Sequence, residues 1–287
     1  MNRRQLLSDL SNILARLDRI AKYNPYHDAR GRFTTASGVG ARVNINDPRA
    51  RAAASRRALN AEDAEAVKVL RQEQIKAIIR NPEQGGNESH IVTFSDGSKA
   101  VFKPASGESK RGLAPIAFPN AYKREVAAYE IDRMLGFGIV PPTTIRTIKG
   151  EIGSLQKWVS GMRGDLANPA DLAKVSRDQI NRLLVLDHIL GAIDRRARNF
   201  FIEGKRLHAI DNGYSLAERA GTAPSPINNS LYQKLRGQSI PKKYQNIVRS
   251  RRKDIVEYVR RSLGENAALN TADRVDQFLR RKKWFVL

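Results

Sequence analysis

Residues 190–202 read LGAIDRRARNFFI, and this stretch decides which fold the chain is expected to adopt. An apolar helix runs into a short, very basic loop, and the chain leaves the loop as an apolar strand. Asp194 and Asn199 lie at the two ends of the loop, and a second strand at residues 207–210 leads to Asp211. The three side chains supply an oxygen-rich cluster, which suits a divalent metal ion and a hydroxyl group that must lose a proton.

The segments upstream of the loop predict a β-rich half of the protein. Residues 89–94 and 99–103 read as two strands joined by a hairpin turn, and residues 120–136 read as a helix closed by Gly136. The remaining upstream elements are strands near residues 143–149 and 152–159 and a helix over residues 176–191. The loop therefore follows a β-rich segment and opens a helix-rich one.

The two flanks are predicted to be mainly helical. Residues 3–22 repeat Leu and Ile at spacings of three and four, which indicates an amphipathic helix that docks on the chain or on a second protomer. Residues 48–80 predict a second helical region. Near the other end, basic amphipathic helices are predicted over residues 242–263 and 271–283, after a largely irregular region at 212–240.

Residues 24–35 read NPYHDARGRFTT, and their Pro, Asn and Gly residues predict an extended linker. The segment resembles a short stretch of bacteriophage head-assembly and minor capsid proteins. That resemblance implies a phage or bacterial context, including attachment to a virion.

Composition bounds the class of protein. A hydrophobic content of 41% and a charged content of 28% are typical of a soluble globular chain. No apolar run approaches the roughly 20 residues that a membrane-spanning helix needs, and no signal peptide is visible. The chain contains no cysteine, which excludes disulfides and thiolate metal sites. We expect a cytoplasmic location.

The chain is strongly basic, with a net charge of +22. The excess lies mostly in the flanks, because residues 231–287 alone carry 15 Lys and Arg against 5 Asp and Glu. Such an excess favours phosphate-rich partners, namely nucleotides, nucleic acids or anionic lipids. A solvated basic surface without a specific partner is the open alternative.

Each part of a phosphoryl-transfer site has a candidate residue. Gly85 and Gly86 would let the backbone close over phosphates, and Lys103 at a strand end would hold them. Glu125 on the next helix would pair with Lys103, with Glu130 as a rival that faces another direction. The loop at residues 194–199, called the catalytic loop below, and the following strand supply the remaining candidates. They are Asp194 for the proton of the acceptor hydroxyl, and Asn199 and Asp211 for Mg²⁺.

Other chemistries lack support in the sequence. The histidines and carboxylates do not have zinc-site spacing. No Walker Gly-x4-Gly-Lys and no Gly-x-Ser-x-Gly pattern occurs, so neither a P-loop ATPase nor a hydrolase elbow is indicated.

The ordered set of Lys103, Glu125, Asp194-x4-Asn199 and Asp211-x-Gly213 resembles the kinase-like superfamily between about Gly85 and Leu216. The resemblance is to the branch of phosphatidylinositol 3/4-kinase-like and HipA-like bacterial proteins. It implies an α+β, bilobal fold of the protein-kinase type, with a small β-rich N-lobe and a helical C-lobe. It also implies an ATP- and Mg²⁺-dependent kinase, in which Gln156 and Trp158 lie on the strand that leads to the adenine-binding hinge.

The predicted domain organisation follows from the same resemblance. Residues 1–47 form an amphipathic helix and linker, residues 48–160 a helical lead-in and the N-lobe, and residues 161–287 the C-lobe.

One residue departs from the family pattern. Arg196 stands where the family usually has a histidine, and an arginine beside Asp194 would be able to pair with it and hold it away from substrate. The leading hypothesis is a protein Ser/Thr kinase. The alternatives are a catalytically altered pseudokinase, an enzyme that transfers AMP, and a basic scaffold that binds nucleic acid or a virion.

Overall fold

The computed structural model describes residues 61–82, 87–109, 118–218 and 230–284, all within the unit Leu59–Leu287. The predicted helix at 3–22, the segment 24–35 and the glycines Gly85 and Gly86 lie outside the described residues. Within the described part, no helix is both long and apolar enough to cross a membrane.

The N-lobe is a five-stranded antiparallel sheet flanked by two helices. Strand order is β1-β2-β3-β5-β4. A first helix, α1, covers residues 61–72. The strands are β1 Ile75–Arg80, β2 His90–Phe94, β3 Lys99–Pro104, β4 Thr143–Ile148 and β5 Glu151–Lys157, and helix α2 spans Ala121–Leu135.

The helix predicted through residue 80 was wrong beyond residue 72, because β1 replaces its last part. Ile75, Ile78 and Ile79 continue the apolar spacing of α1, but isoleucine is β-branched and fits a pleated strand better than a helix. In the sheet, Ile79 is paired with Ile91 of β2 and Ile78 with Val92. Pairing with a strand some fifteen residues away in the chain is a tertiary effect that local periodicity does not reveal.

The two faces of the sheet have different neighbours. Residues directly opposite each other in antiparallel strands share a face, so Val92 and Ala100 lie together, and so do Phe102 and Leu155. These four residues are buried with Leu70 of α1. The opposite face carries Lys103 beside Ser154, and Val101 beside Gln156. The sheet therefore turns its apolar face to α1, and the face that carries Lys103 points away from α1.

The C-lobe is helical with a small three-stranded sheet. Its core is built around α4, whose middle residues are almost completely buried. The helices are α3 Pro169–Lys174, α4 Arg177–Leu190, α5 Ser230–Gln233, α6 Lys242–Leu263 and α7 Glu265–Arg280, and the strands are β6 Met162–Arg163, β7 Phe200–Glu203 and β8 Arg206–Ala209. The predicted helix at 271–283 begins earlier, at Glu265. Helix α4 ends at Gly191, whose φ of 60° places it in the left-handed region.

A buried carboxylate, Asp132, fixes the segment between the lobes. Its Oδ2 accepts hydrogen bonds from the backbone N–H of Ile139 at 2.9 Å and of Val140 at 3.1 Å. The carbonyl of Ile139 accepts in turn from the N–H of Ala209, the last residue of β8. Asp132 is 1% exposed, and its Oδ1 is buried without a hydrogen-bond partner among the described residues. Burial raises the pKa of Asp132 to about 7, although the two backbone hydrogen bonds oppose the shift.

We expect Asp132 to make the free energy of unfolding fall as the pH rises. The folded-state pKa of about 7 lies above the ordinary value of 3.8, so the unfolded chain loses this proton first. The stabilisation is complete below about pH 4 and is lost as the pH rises through 7. Between pH 5 and 8 the difference between wild type and Asp132→Asn should change by about 2–3 kcal/mol in favour of the variant. Urea unfolding at both pH values measures this, with Asp165→Asn, an exposed carboxylate, as the control. Parallel pH profiles for wild type and Asp132→Asn would contradict the assignment.

Candidate active site

A single lysine joins three elements at the cleft. The Nζ of Lys103, on β3, donates hydrogen bonds to Oε1 of Glu125 on α2 at 2.5 Å and to Oδ1 of Asp211 at 2.8 Å. Burial alone would lower the pKa of Lys103, but the two carboxylates outweigh it and raise the pKa above its ordinary value. Lys103 likewise lowers the pKa of Asp211, although partial desolvation of the carboxylate opposes the shift. Lys103 and Asp211 are therefore both charged at neutral pH.

Glu125 also ties α2 to the segment that carries Asp211. Its second carboxylate oxygen accepts the backbone N–H of Asn212 at 2.9 Å. At Gly213 an added Cβ would lie 3.2 Å from the Cβ of Ala121, closer than most Cβ contacts in proteins. Asp211 itself has a φ of 58°, an uncommon left-handed conformation for a residue with a side chain. Glycine and strained backbone together bring this segment close to α2.

The buried Arg124 makes a second connection between α2 and the chain that follows Asp211. Its guanidinium donates to the carbonyls of Ser215 and Leu216 and to the carboxylate of Glu218. Its Nε donates to the carbonyl of Pro119, just before α2. Burial lowers the pKa of Arg124 to about 10, with Glu218 opposing, so the group stays charged at neutral pH.

The catalytic-loop residues are linked to the same segment. The side-chain amide of Asn199 donates to the backbone carbonyl of Asp194 at 2.5 Å, and its contact with the Asp194 carboxylate is longer, at 3.4 Å. The backbone N–H of Ile210 donates to the carbonyl of Asn199 at 3.0 Å. Asn199 is thus bonded both to Asp194 and to Ile210, the residue that precedes Asp211.

Arg196 contacts the predicted catalytic carboxylate directly. Its Nε lies 2.5 Å from Oδ1 of Asp194, and the side chain of Arg196 is 62% exposed whereas that of Asp194 is 18% exposed. The pairing anticipated from the sequence therefore exists. In this ion pair most of the arginine side chain is exposed to solvent, whereas the carboxylate is largely buried.

Arg195, whose role was not predicted from the sequence, is 1% exposed and anchors the catalytic loop from the interior of the protein. Its guanidinium donates to the carboxylate of Asp187 on α4. It also donates to the backbone carbonyls of Asn199 at 2.8 Å and Ile210 at 2.6 Å, and to the side chain of Asn212. Burial opposes the charge of Arg195, but Asp187 outweighs burial and raises the pKa. One side chain thus fixes the backbone of Asn199 and both residues that flank Asp211.

Asp187 has a second buried partner, because the hydroxyl of Tyr232 donates to its other oxygen. Burial and the Asp187 charge raise the pKa of Tyr232 well above its ordinary range. The sequence did contain a signal for this network. Asp187 interrupts the otherwise apolar run of α4, and a carboxylate at such a position is rarely buried without a partner. Nothing local, however, distinguishes Arg195 from its neighbouring arginines.

The two residues predicted on the strand that leads to the adenine-binding hinge, Gln156 and Trp158, differ in their exposure and contacts. The side chain of Gln156 is buried and donates to the hydroxyl of Thr143. Trp158 is 39% exposed, and its backbone N–H donates to the carbonyl of Lys99. Asn87 and Glu88, which follow the two glycines in the sequence, line a small, partly open pocket beside Lys103. Glu130, the rival of Glu125, bonds to Arg133 instead.

The residues present fit a magnesium ion held largely by substrate phosphates. Within the described ranges, no three His, Cys, Asp or Glu residues are grouped as a metal site. Mg²⁺ nevertheless usually takes only one or two carboxylates together with phosphate oxygens and water. Asp211, with a side chain 37% exposed, and the neighbouring amide of Asn199 supply that donor set.

Comparison with known proteins identifies the fold and no family. No protein-family model matches the chain, and no curated protein matches its sequence. Among solved structures, the Golgi casein kinase with Mn/ADP bound aligns with a TM-score of 0.50 at 14% identity, over 77% of this chain and 75% of that one. A second crystal structure of the Golgi casein kinase aligns with a TM-score of 0.49 at 14% identity, over 77% of this chain and 74% of that one. The Helicobacter pylori proinflammatory kinase CtkA aligns with a TM-score of 0.41 at 13% identity, over 70% of this chain and 91% of that one.

The TM-score of 0.50 with the Golgi casein kinase, together with the two lobes, confirms the predicted kinase-like fold. Because the identity is only 14%, the likeness concerns the fold alone. Membership of the phosphatidylinositol 3/4-kinase-like or HipA-like branch stays a prediction.

Proposed function

We propose that this protein is a kinase that transfers the terminal phosphoryl group of ATP to a hydroxyl group. The observation that supports it is the bridge from Lys103 to both Glu125 and Asp211, tied through Asn199 to Asp194. A lysine held by two carboxylates is oriented and charged, as a phosphate-binding cation must be. A solved structure of similar fold contains Mn/ADP, which agrees with a nucleotide and a divalent metal here.

Each residue has a role in the proposed reaction. Lys103 balances phosphate charge, and Glu125 keeps its ammonium in place. Asp211 and Asn199 would hold Mg²⁺, which supplies charge stabilisation at the phosphates. Asp194 orients the acceptor hydroxyl and takes its proton on a carboxylate oxygen. Asn199 keeps the backbone of Asp194 fixed during this transfer.

We infer a protein Ser or Thr hydroxyl as the acceptor. The inference rests on the resemblance to the small bacterial members of the branch, which look like protein kinases. The resemblance of residues 24–35 to phage head proteins supports a phage or bacterial origin.

The ion pair between Arg196 and Asp194 is the observation that favours a pseudokinase instead. Its strength decides between the two readings. Exposed ion pairs contribute about 0–1 kcal/mol, which slows a reaction by roughly fivefold at most when the pair must open. Substrate binding can offset a cost of that size, so we propose an active enzyme.

The test is phosphate transfer from γ-labelled ATP with Mg²⁺, to the protein itself and to a mixture of host proteins. We expect labelling by the wild type and a loss of about 10²–10⁴-fold for Asp194→Ala. Label that arrives from α-labelled ATP would show AMP transfer instead. No label above that of Asp194→Ala from either nucleotide would refute the proposed activity.

Arg196→Gln in the same assay separates an active site from a blocked one. A surface ion pair predicts a change of no more than about fivefold in kcat. An increase of several hundredfold would show that the wild-type site is held closed by Arg196.

A further inference from the structure

Three basic segments that are separate in the sequence meet at one corner of the C-lobe. The basic corner, as we call it, consists of Lys234, Arg236, Lys242, Lys243, Lys282 and Lys283. Backbone hydrogen bonds bring the segments together, from Gly237 N–H to the Trp284 carbonyl at 2.7 Å and from Ile240 N–H to the Lys282 carbonyl at 2.9 Å. We propose that the basic corner binds the sugar–phosphate backbone of nucleic acid.

The backbone beneath the basic corner is anchored to the lobe. Trp284 is 1% exposed, and its indole N–H donates to the side chain of Asn181 on α4 at 3.0 Å. The side chain of Gln245 on α6 donates to the carbonyl of Arg281 at 2.8 Å. The cationic side chains therefore extend from a fixed frame, which lowers the ordering cost of binding a partner.

The charge of the corner is hardly compensated. Lys243 pairs with Asp178, whereas Arg236, Lys242, Lys282 and Lys283 form no ion pair within the described part of the chain. Farther along α6 the positive charges are compensated. Arg252 pairs with Asp276, and Arg260 pairs with Glu257 and Glu265. Clustered like charges repel one another in the folded state. A polyanion would relieve that repulsion and release its own counterions.

The character of the surface favours nucleic acid over other anionic partners. The exposed large apolar residues of the described chain include none from residues 230–245 or 280–284. A membrane-surface element needs an apolar face, and a protein partner is usually held by aromatic or apolar anchors. A phosphate backbone is bound by Lys, Arg, polar side chains and backbone N–H groups alone. Ser239, which is exposed and pairs with Lys283 through a β-bridge, supplies such a polar group within the corner.

The basic corner is remote from the catalytic loop. It is attached near the start of α4, where Arg177 donates to Gln238, whereas the catalytic loop follows the other end of that helix. At 1.5 Å per residue, the 14 residues of α4 separate the two by about 20 Å. Nucleic acid at the corner would thus leave the kinase cleft open, and the inference does not depend on the proposed activity.

The experiment uses the full chain and a fluorescent 30-base-pair DNA duplex of mixed sequence, titrated from about 50 to 300 mM NaCl. The corner variant is Lys242→Gln/Lys282→Gln/Lys283→Gln. The matched control, Lys68→Gln/Lys76→Gln/Lys99→Gln, removes the same charge from exposed N-lobe positions. Thermal unfolding verifies that both variants are folded.

We expect the wild type to bind with a steep salt dependence. The corner variant should lose at least tenfold in affinity at 100 mM NaCl, with a slope of log K against log [salt] that is shallower by about 2–3, since each phosphate contact contributes about 0.9. The control should change less than threefold. Absence of salt-dependent binding, or equal losses in both variants, would overturn the proposal. So would tighter binding to phosphatidylglycerol vesicles than to DNA.

Discussion

Asp211→Asn is expected to lower phosphate transfer at least about 10³-fold while the protein remains folded. The substitution removes the one predicted metal-binding carboxylate, and charge stabilisation by a metal accounts for several kcal/mol of barrier lowering. It also leaves Lys103 with Glu125 alone, so the ammonium is free to move away from the phosphates. Labelled transfer at saturating ATP measures the first effect, and the stabilisation of the protein by Mn²⁺ and ADP in thermal unfolding measures nucleotide–metal binding.

Asp165→Asn is the matched control for this prediction. Asp165 carries an exposed carboxylate that also pairs with a cation, Arg163, and it forms no bond with Lys103 or Asp194 within the described residues, so its loss should leave both readouts unchanged. Transfer by Asp211→Asn within tenfold of the wild type would show that Asp211 does not hold the metal. Loss of transfer with an unchanged Mn²⁺- and ADP-dependent shift would show the same.

Arg195→Met is expected to lower the free energy of unfolding by about 3–5 kcal/mol, because it leaves a buried charge without its partner. Asp187 would retain only Tyr232, and the carbonyls of Asn199 and Ile210 would lose a donor. Urea unfolding of Arg195→Met against Arg196→Met makes the comparison direct, since adjacent arginines are changed to the same residue. The exposed Arg196 should cost less than about 1 kcal/mol.

A double variant distinguishes the contribution of the ion pair between Arg195 and Asp187 from the contribution of side-chain packing. Arg195→Met/Asp187→Leu removes both charges, so we expect it to be more stable than the sum of the single changes predicts, with a coupling energy of at least about 2 kcal/mol. Strict additivity would mean that Arg195 acts through its size alone. Equal unfolding energies for Arg195→Met and Arg196→Met would contradict the burial on which the prediction rests.

Residues with a fixed order and spacing were the predictable part of the site. Asp194 and Asn199 are five positions apart in a loop between an apolar helix and a strand, and Lys103 ends a strand of clear alternation. Because each residue sits on an element with a strong local pattern, the sequence alone placed them on the correct elements. The structure then joins Lys103, Glu125 and Asp211 by direct hydrogen bonds, which no local pattern could demonstrate.

The missed features all depend on contacts between distant parts of the chain. Strand β1 was taken for helix because its isoleucines keep the apolar spacing of α1, and only pairing with β2 decides the matter. Arg195 and Arg196 are neighbours of the same type, yet one is buried and the other exposed, since only Arg195 faces Asp187. In the sequence, nothing distinguishes Asp132 from other polar residues of its helix. Only the fold buries it and brings the backbone N–H groups of Ile139 and Val140 to its carboxylate.

The contacts of α2 bear on how this protein can be regulated. An outward swing of α2 would break the bonds of Glu125 to Lys103 and Asn212 and those of Arg124 at once. With charge-assisted hydrogen bonds at about 1.5–3 kcal/mol each, the swung-out form would lie roughly 5 kcal/mol or more above the assembled one. Fewer than about one molecule in a thousand would then occupy it at equilibrium. We therefore expect α2 to remain in the assembled position, so that any control of the proposed activity acts on the access of the acceptor to Asp194.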